Sequence, residues 1–185
     1  MRLSTINNEM ASVRDDDPED YQRLDYSLLQ NGAVTLYWRP AYLDADVEWL
    51  TTHGYRVHRW DASAWSSVEQ MHDDLARELA FPDYYGRNLD ALNDCLRDLK
   101  MPREGGVALV LRRFDAFALR EPRVAEAILD IAEHASRGYL VFGHRFVVLV
   151  QSDDPQITFG PLGAVSASWN RREWLTASRN PGEPT

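Results

Sequence analysis

The sequence predicts an α/β fold in which a small, mainly parallel β-sheet packs against helices. Two observations predict this fold class: short apolar runs, and segments with helical periodicity that separate them. The apolar runs lie at residues 33–38, 55–60, 107–111 and 146–150. Strands that alternate with helices form parallel sheets, because a helix supplies the crossover between neighbouring strands. The 185 residues, 44% of them hydrophobic, are enough for one domain with a sizeable core.

The N-terminal part of the chain predicts a flexible segment followed by a strand and a helix. Residues 1–32 are polar and contain an acidic block at 15–20, so we expect them to be flexible. The run 33–38 forms the first strand, and apolar residues at helical spacing place a helix at 42–53. Gly54 then suits the C-terminal cap of that helix.

Two helices follow the alternating strand at 55–60. A capping-box pair, Ser66 and Glu69, marks the start of the first helix, and Pro82 ends it. Gly86 can take a positive φ in the turn after Pro82. The second helix runs from residue 89 to about 99 and has Asn88 as its N-cap.

The second half of the chain predicts two more strands, one long helix and a tail. The runs 107–111 and 146–150 are continuously apolar, as strands covered on both faces are. Between them a helix begins at Pro122 and closes at Gly138, with Glu133 on its exposed side. We expect residues 33–151 to form the domain, of which 33–54 is an extra strand and helix.

Residues 152–185 form a C-terminal extension. A short strand is predicted at 157–159 and a brief helix at 169–175, and the end of the chain is predicted to be disordered because it contains Pro181 and Pro184.

The composition favours a protein-binding function over nucleic-acid or membrane binding. The formal net charge of −9 disfavours direct binding to nucleic acid and favours a basic protein partner. The single cysteine, Cys95, excludes an internal disulfide and a cysteine-rich zinc site. No apolar run is long enough for a signal peptide or a membrane span. We therefore expect a soluble cytoplasmic protein that is monomeric when free and needs no cofactor or metal.

The helix at 89–99 carries an unusual row of carboxylates. Leucines at helical spacing form one apolar stripe, and Asp90, Asp94 and Asp98 recur every fourth residue on the roughly opposite face. Like charges at this spacing are destabilising. The row is either a solvated polar face or a surface that meets a cationic partner. A carboxylate-dependent hydrolase is a further alternative, but that chemistry needs carboxylates in a cleft with divergent pKa values.

The same stretch resembles the central segment of the barstar family, intracellular inhibitors of a secreted bacterial ribonuclease. The matching residues are a turn, Pro82-Asp83-Tyr84-Tyr85-Gly86, and the helix start Asn88-Leu89-Asp90-Ala91-Leu92-Asn93-Asp94-Cys95-Leu96. The resemblance covers residues 55 to about 151.

The resemblance implies a small parallel sheet and an acidic helix that plugs the active site of a guanyl-preferring ribonuclease. By position, Asp94 takes the place of an RNA phosphate, and Asp90 contacts the region of the enzyme that recognises the base. Tyr84 packs its ring against the catalytic rim, and Glu133 matches an outlying acidic contact.

Three further positions bear on the choice of target. Asn93 stands where the family has an exposed aromatic, Arg87 stands where the type member has an acid, and Asp98 lies at the rim of the face. The leading hypothesis is a cytoplasmic inhibitor of a basic secreted ribonuclease. The alternative is an immunity or regulatory protein that uses the same face to bind a different basic protein.

Overall fold

A computed structural model describes residues 23–175 and Arg179. The helices in this range are α1 (Leu24–Leu29), α2 (Pro40–Thr52), α3 (Val68–Glu78), α4 (Leu89–Arg97), α5 (Phe114–Arg120) and α6 (Pro122–Val141). The strands are β1 (Val34–Tyr37), β2 (Arg56–Asp61), β3 (Gly106–Arg112), β4 (Arg145–Gln151), β5 (Pro161–Leu162), β6 (Val165–Ser166) and β7 (Ser168–Trp169). A 3-10 turn, Ala62–Ala64, follows β2. Among the described residues, no helix is both long and apolar enough to cross a membrane.

The main sheet has the strand order β2-β3-β4-β1-β7, and every neighbouring pair in it is parallel. The predicted α/β class and the four predicted strands are confirmed. The fifth strand, β7, was not predicted: it pairs Thr35 with Ser168 at the free edge of β1, where the sequence suggested a helix at 169–175. β5 and β6 form a separate antiparallel pair.

Helices cover both faces of the sheet. On one face, α3, α4, α5 and α6 pack over the larger apolar cluster, which includes Leu109, Leu111, Val148 and Val150. On the other face, α1 and α2 pack over a smaller cluster, in which alternate residues of β3 and β4 take part. The apolar runs of β3 and β4 follow from this arrangement, because a strand covered on both faces has no solvent-facing side.

Helix ends differ from the predictions in three places. The N-cap of α3 is Ser67, whose hydroxyl accepts from the Gln70 amide at 3.3 Å, so the predicted Ser66–Glu69 pair is off by one residue. α3 ends at Glu78, before Pro82, and Ala80 adopts a left-handed φ of 52° after it. α6 continues beyond Gly138 to Val141. The short helix α5 was not predicted.

Both terminal extensions contribute to the packed structure. Residues 1–22 lie outside the described residues, but residues 24–29 form α1 rather than part of a flexible segment. The buried Asp25 carboxylate accepts from the Tyr55 hydroxyl at 3.0 Å. In the C-terminal extension, the buried Glu173 carboxylate accepts from the Trp38 and Arg39 amides at 3.0 and 2.8 Å and so joins this extension to the residues between β1 and α2. The predicted strand at 157–159 is a loop, and Pro181 and Pro184 lie outside the described residues.

Candidate functional site

The acidic helix α4 begins as its sequence predicts. The Asn88 side-chain oxygen accepts from the Ala91 amide at 2.8 Å, which satisfies one of the free amides of the first turn. The left-handed residue before it is Arg87, with φ of 49°, and not Gly86 as expected. A Cβ on Gly86 would lie 3.1 Å from the Asn88 side-chain nitrogen, so glycine leaves space for the capping residue. The helix ends at Arg97, and Asp98 is its C-cap.

The apolar stripe of α4 fixes the orientation of its acidic face. Leu92 and Leu96 are fully buried against the core, and this confirms the predicted stripe. Asp90, Asp94 and Asp98 are exposed on the remaining surface. Leu92 and Leu96 fix the position of the α4 backbone, and with it the surface from which the three carboxylates project.

The three carboxylates of α4 are also unpaired. Within residues 23–175 and Arg179, none of them makes a hydrogen bond or an ion pair, whereas the nearby carboxylates of Asp73 and Asp74 pair with arginines. The α4 face therefore presents negative charge that the protein's own described cations do not neutralise.

The turn before α4 exposes one aromatic ring and buries its neighbour. Tyr84 is 87% exposed. Tyr85 packs on Phe81, with ring centroids 4.9 Å apart, and its hydroxyl lies 2.5 Å from Nδ1 of the buried His72. Burial raises the pKa of the Tyr85 hydroxyl and lowers the pKa of His72, so a neutral tyrosine faces a neutral imidazole. Tyr85 thus anchors the turn that carries Tyr84.

A groove of about 600 Å³ separates this turn from α4 and the edge strand β2. Asp94, Asp98 and Tyr84 lie along it, together with an apolar floor that includes Leu79 and Leu99. The combination of exposed aromatic, unpaired carboxylates and an apolar groove is typical of a protein-binding surface.

The two positions that differ from the family pattern lie beside this face. Asn93 is half-buried on α4. Arg87 pairs with Asp73, with Nε 2.7 Å from the carboxylate oxygen, so its positive charge is already balanced within the protein.

The position of Glu133 differs from the prediction that it lies on the exposed side of its helix. Its side chain is 2% exposed, not on the outer side of α6 as the sequence suggested. The carboxylate accepts from the Ala33 amide at 2.6 Å and pairs with Nε of Arg137 at 3.1 Å. The extra strand β1 and the residues before it cover this carboxylate, so it joins the extension to α6 and does not face a partner.

The half-buried Cys95 lies beside the acidic row. Burial first, and then the charges of Asp98 and Asp94, raise the pKa of its thiol, which is typical of a packing residue rather than of a reactive cysteine. Among the described residues, no group of three or more His, Cys, Asp or Glu side chains is arranged to hold a metal ion.

A family profile described as "Barstar (barnase inhibitor)" matches residues 55–151. The chain belongs to the Barstar family. The matched range begins one residue before β2 and ends with β4, so β1, α1, α2 and β7 are outside it, and the α4 face is within it.

Two individual proteins extend the comparison. The Bacillus subtilis (strain 168) protein named "Putative ribonuclease inhibitor YrdF" is 40% identical over 76 residues, which are 40% of this chain and 79% of that protein. A chain in the solved "Structure of Drosophila ORC bound to AT-rich DNA and Cdc6" is 16% identical, with a TM-score of 0.47 over 74% of this chain. This chain spans about half the length (47%) of that one, and the likeness carries no functional argument.

Proposed function

We propose that this Barstar-family protein inhibits a basic, guanyl-preferring ribonuclease of the secreted type by covering its active site with α4. The observation that carries the proposal is the set of three exposed, unpaired carboxylates on α4 beside the exposed ring of Tyr84. Family membership supports a ribonuclease as the partner.

The mechanism is substitution of carboxylates for the phosphates of RNA. A ribonuclease that binds a polyanion has preformed cationic sites, and a carboxylate accepts the same charge-assisted hydrogen bonds from arginine and histidine. Asp94, at the middle of the row, takes the phosphate position, and Asp90 contacts the base-recognition region. Tyr84 packs against the rim of the active site. Because the buried stripe already fixes the backbone of α4, the helix itself needs no ordering on binding.

An assay of RNA cleavage tests the proposal. A guanyl-preferring ribonuclease is titrated with the wild-type protein and with Asp94→Ala. A matched control is Glu48→Ala, which removes an exposed carboxylate from α2 on the other face of the sheet. We expect stoichiometric inhibition by wild type and by the control, and a loss of about 2–5 kcal/mol in affinity for Asp94→Ala. Inhibition that is equal for all three proteins would rule out α4 as the binding face.

The second candidate is an immunity or regulatory protein that binds a different basic protein through the same face. Asn93 favours it, because an amide at this position offers less apolar contact than the aromatic of the family pattern. Saturable binding to such a protein, without inhibition of any guanyl-preferring ribonuclease, would favour this candidate. In either case, we propose that the free protein is a cytoplasmic monomer.

A further inference from the structure

A second cavity lies at the opposite edge of the sheet from β2, outside the range that matches the family. Its volume is about 380 Å³, within the usual range for small-molecule sites. It lies between α1, the adjoining strands β1 and β7, and the segment after β7. Both terminal extensions therefore contribute to it, and the family region does not.

The floor of the cavity is polar, whereas the middle of this sheet face, formed by β3 and β4, is apolar. Under α1 and α2, strands β3 and β4 present the side chains Ala108, Val110, Val147 and Leu149. At the β1–β7 edge, paired residues Thr35 and Ser168 line the cavity instead, followed by Asn170.

Thr35 shows that the floor is open to a ligand. The residue is 6% exposed, and its hydroxyl makes no hydrogen bond to any described residue. A sealed hydroxyl without a partner costs about 1–3 kcal/mol. No side-chain polar atom in the described part of the chain is sealed in this way, so the Thr35 hydroxyl opens onto the cavity.

The rim adds amides, a cation and an aromatic ring. The side chains of Gln30, Asn31 and Arg171 line the cavity, and none of them has a hydrogen bond or ion pair to a described residue. Trp174 borders it with 67% of its surface exposed. No carboxylate is among the lining residues, although the chain carries a net charge of −9.

We infer that this cavity binds a mononucleotide. The indole of Trp174 stacks on the base, a contact that any base can make. The Thr35 and Ser168 hydroxyls and the two rim amides form hydrogen bonds with the base and ribose, and Arg171 pairs with the phosphate. The absence of lining carboxylates suits an anionic ligand. The inference does not depend on the proposed function of α4.

Titration of the full chain with 5′-mononucleotides, followed by tryptophan fluorescence and calorimetry, tests the inference. The matching nucleoside and ribose 5-phosphate are titrated in parallel. We expect saturable binding of a nucleotide with Kd below about 1 mM, and weaker binding of both fragments. Trp174→Ala and Arg171→Gln should each weaken binding about tenfold, without lowering the melting temperature.

One control and a third cavity variant sharpen the test. Arg103→Gln removes an exposed arginine that lies outside the cavity and should leave the affinity unchanged. Thr35→Val keeps the shape of the floor and should weaken binding several-fold. Failure to saturate with any of the nucleotides, affinities that are equal in wild type and the three cavity variants, or a nucleoside that binds as tightly as its nucleotide would each overturn the inference.

Discussion

Replacement of Glu133 by alanine separates a structural role for this carboxylate from a partner-binding one. In the structure the buried carboxylate joins the residues before β1 to α6, through the Ala33 amide at 2.6 Å and the Arg137 guanidinium at 3.1 Å. We expect Glu133→Ala to destabilise the free protein and to change its affinity for a ribonuclease far less than Asp94→Ala does.

The magnitude follows from the two contacts. A hydrogen bond to a charged acceptor contributes about 1.5–3 kcal/mol, and its loss leaves the Ala33 amide without a partner. The pair with the partly exposed Arg137 adds about 0.2–1 kcal/mol. The expected loss is therefore about 3 kcal/mol, which corresponds to a fall of about 6–12 °C in melting temperature for a chain of this size.

Thermal and denaturant unfolding of the free protein measure this loss. Glu126→Ala is the matched control, because Glu126 is an exposed residue of the same helix and has no hydrogen bond or ion pair to a described residue. It should change stability by less than about 0.5 kcal/mol. Glu133→Gln keeps an acceptor oxygen and should fall between the two. An unchanged melting temperature for Glu133→Ala, together with a weakened complex, would refute the structural role and restore the partner-facing one.

Three further predictions concern the site. Asp94→Ala should leave the free protein as stable as wild type or more stable by about 0.5–1 kcal/mol, since it removes two like-charge pairs, and a drop in melting temperature at low salt would contradict this. Asp94→Asn should lower the pKa of Cys95, seen as faster alkylation of the thiol at mildly alkaline pH; an unchanged rate profile would contradict this. Burial lowers the pKa of His72 from its ordinary value of 6.5, so the unfolded chain binds more protons and stability falls as pH drops below about 6.5. The stability of His72→Gln should not show this fall at low pH. An identical pH dependence of stability in wild type and His72→Gln would contradict the prediction.

Local signals were enough to predict α4. Its cap, its apolar stripe and its acidic row are all determined within the twelve residues 88–99, and the structure confirms the cap and the stripe. The four longer strands were predictable for a similar reason, because each is a continuous or alternating apolar run. One local error came from neighbouring hydroxyls. Ser66 and Ser67 can both cap α3; in the structure Ser67 accepts from the Gln70 amide, and the Ser66 hydroxyl donates to the Gln70 side-chain oxygen instead.

Non-local contacts account for the larger errors. β7 is two residues long, and its pairing with β1 joins segments that are far apart in the sequence. Glu133 is buried by residues a hundred positions earlier, so helical periodicity alone could not place it inside the protein. The left-handed residue before α4 was assigned to Gly86 because glycine adopts it most easily, but Arg87 takes it and pairs with Asp73.

The coupling energy between Asp94 and a phosphate-binding arginine of a guanyl-preferring ribonuclease tests the central claim most directly. A double-mutant cycle combines Asp94→Ala with alanine at that arginine of the enzyme, and calorimetry measures the four affinities. If the carboxylate occupies the phosphate site, the two changes are not additive, and the coupling energy is about 1.5 kcal/mol or more. Additive losses, with a coupling energy near zero, would contradict the claim that Asp94 takes the place of an RNA phosphate.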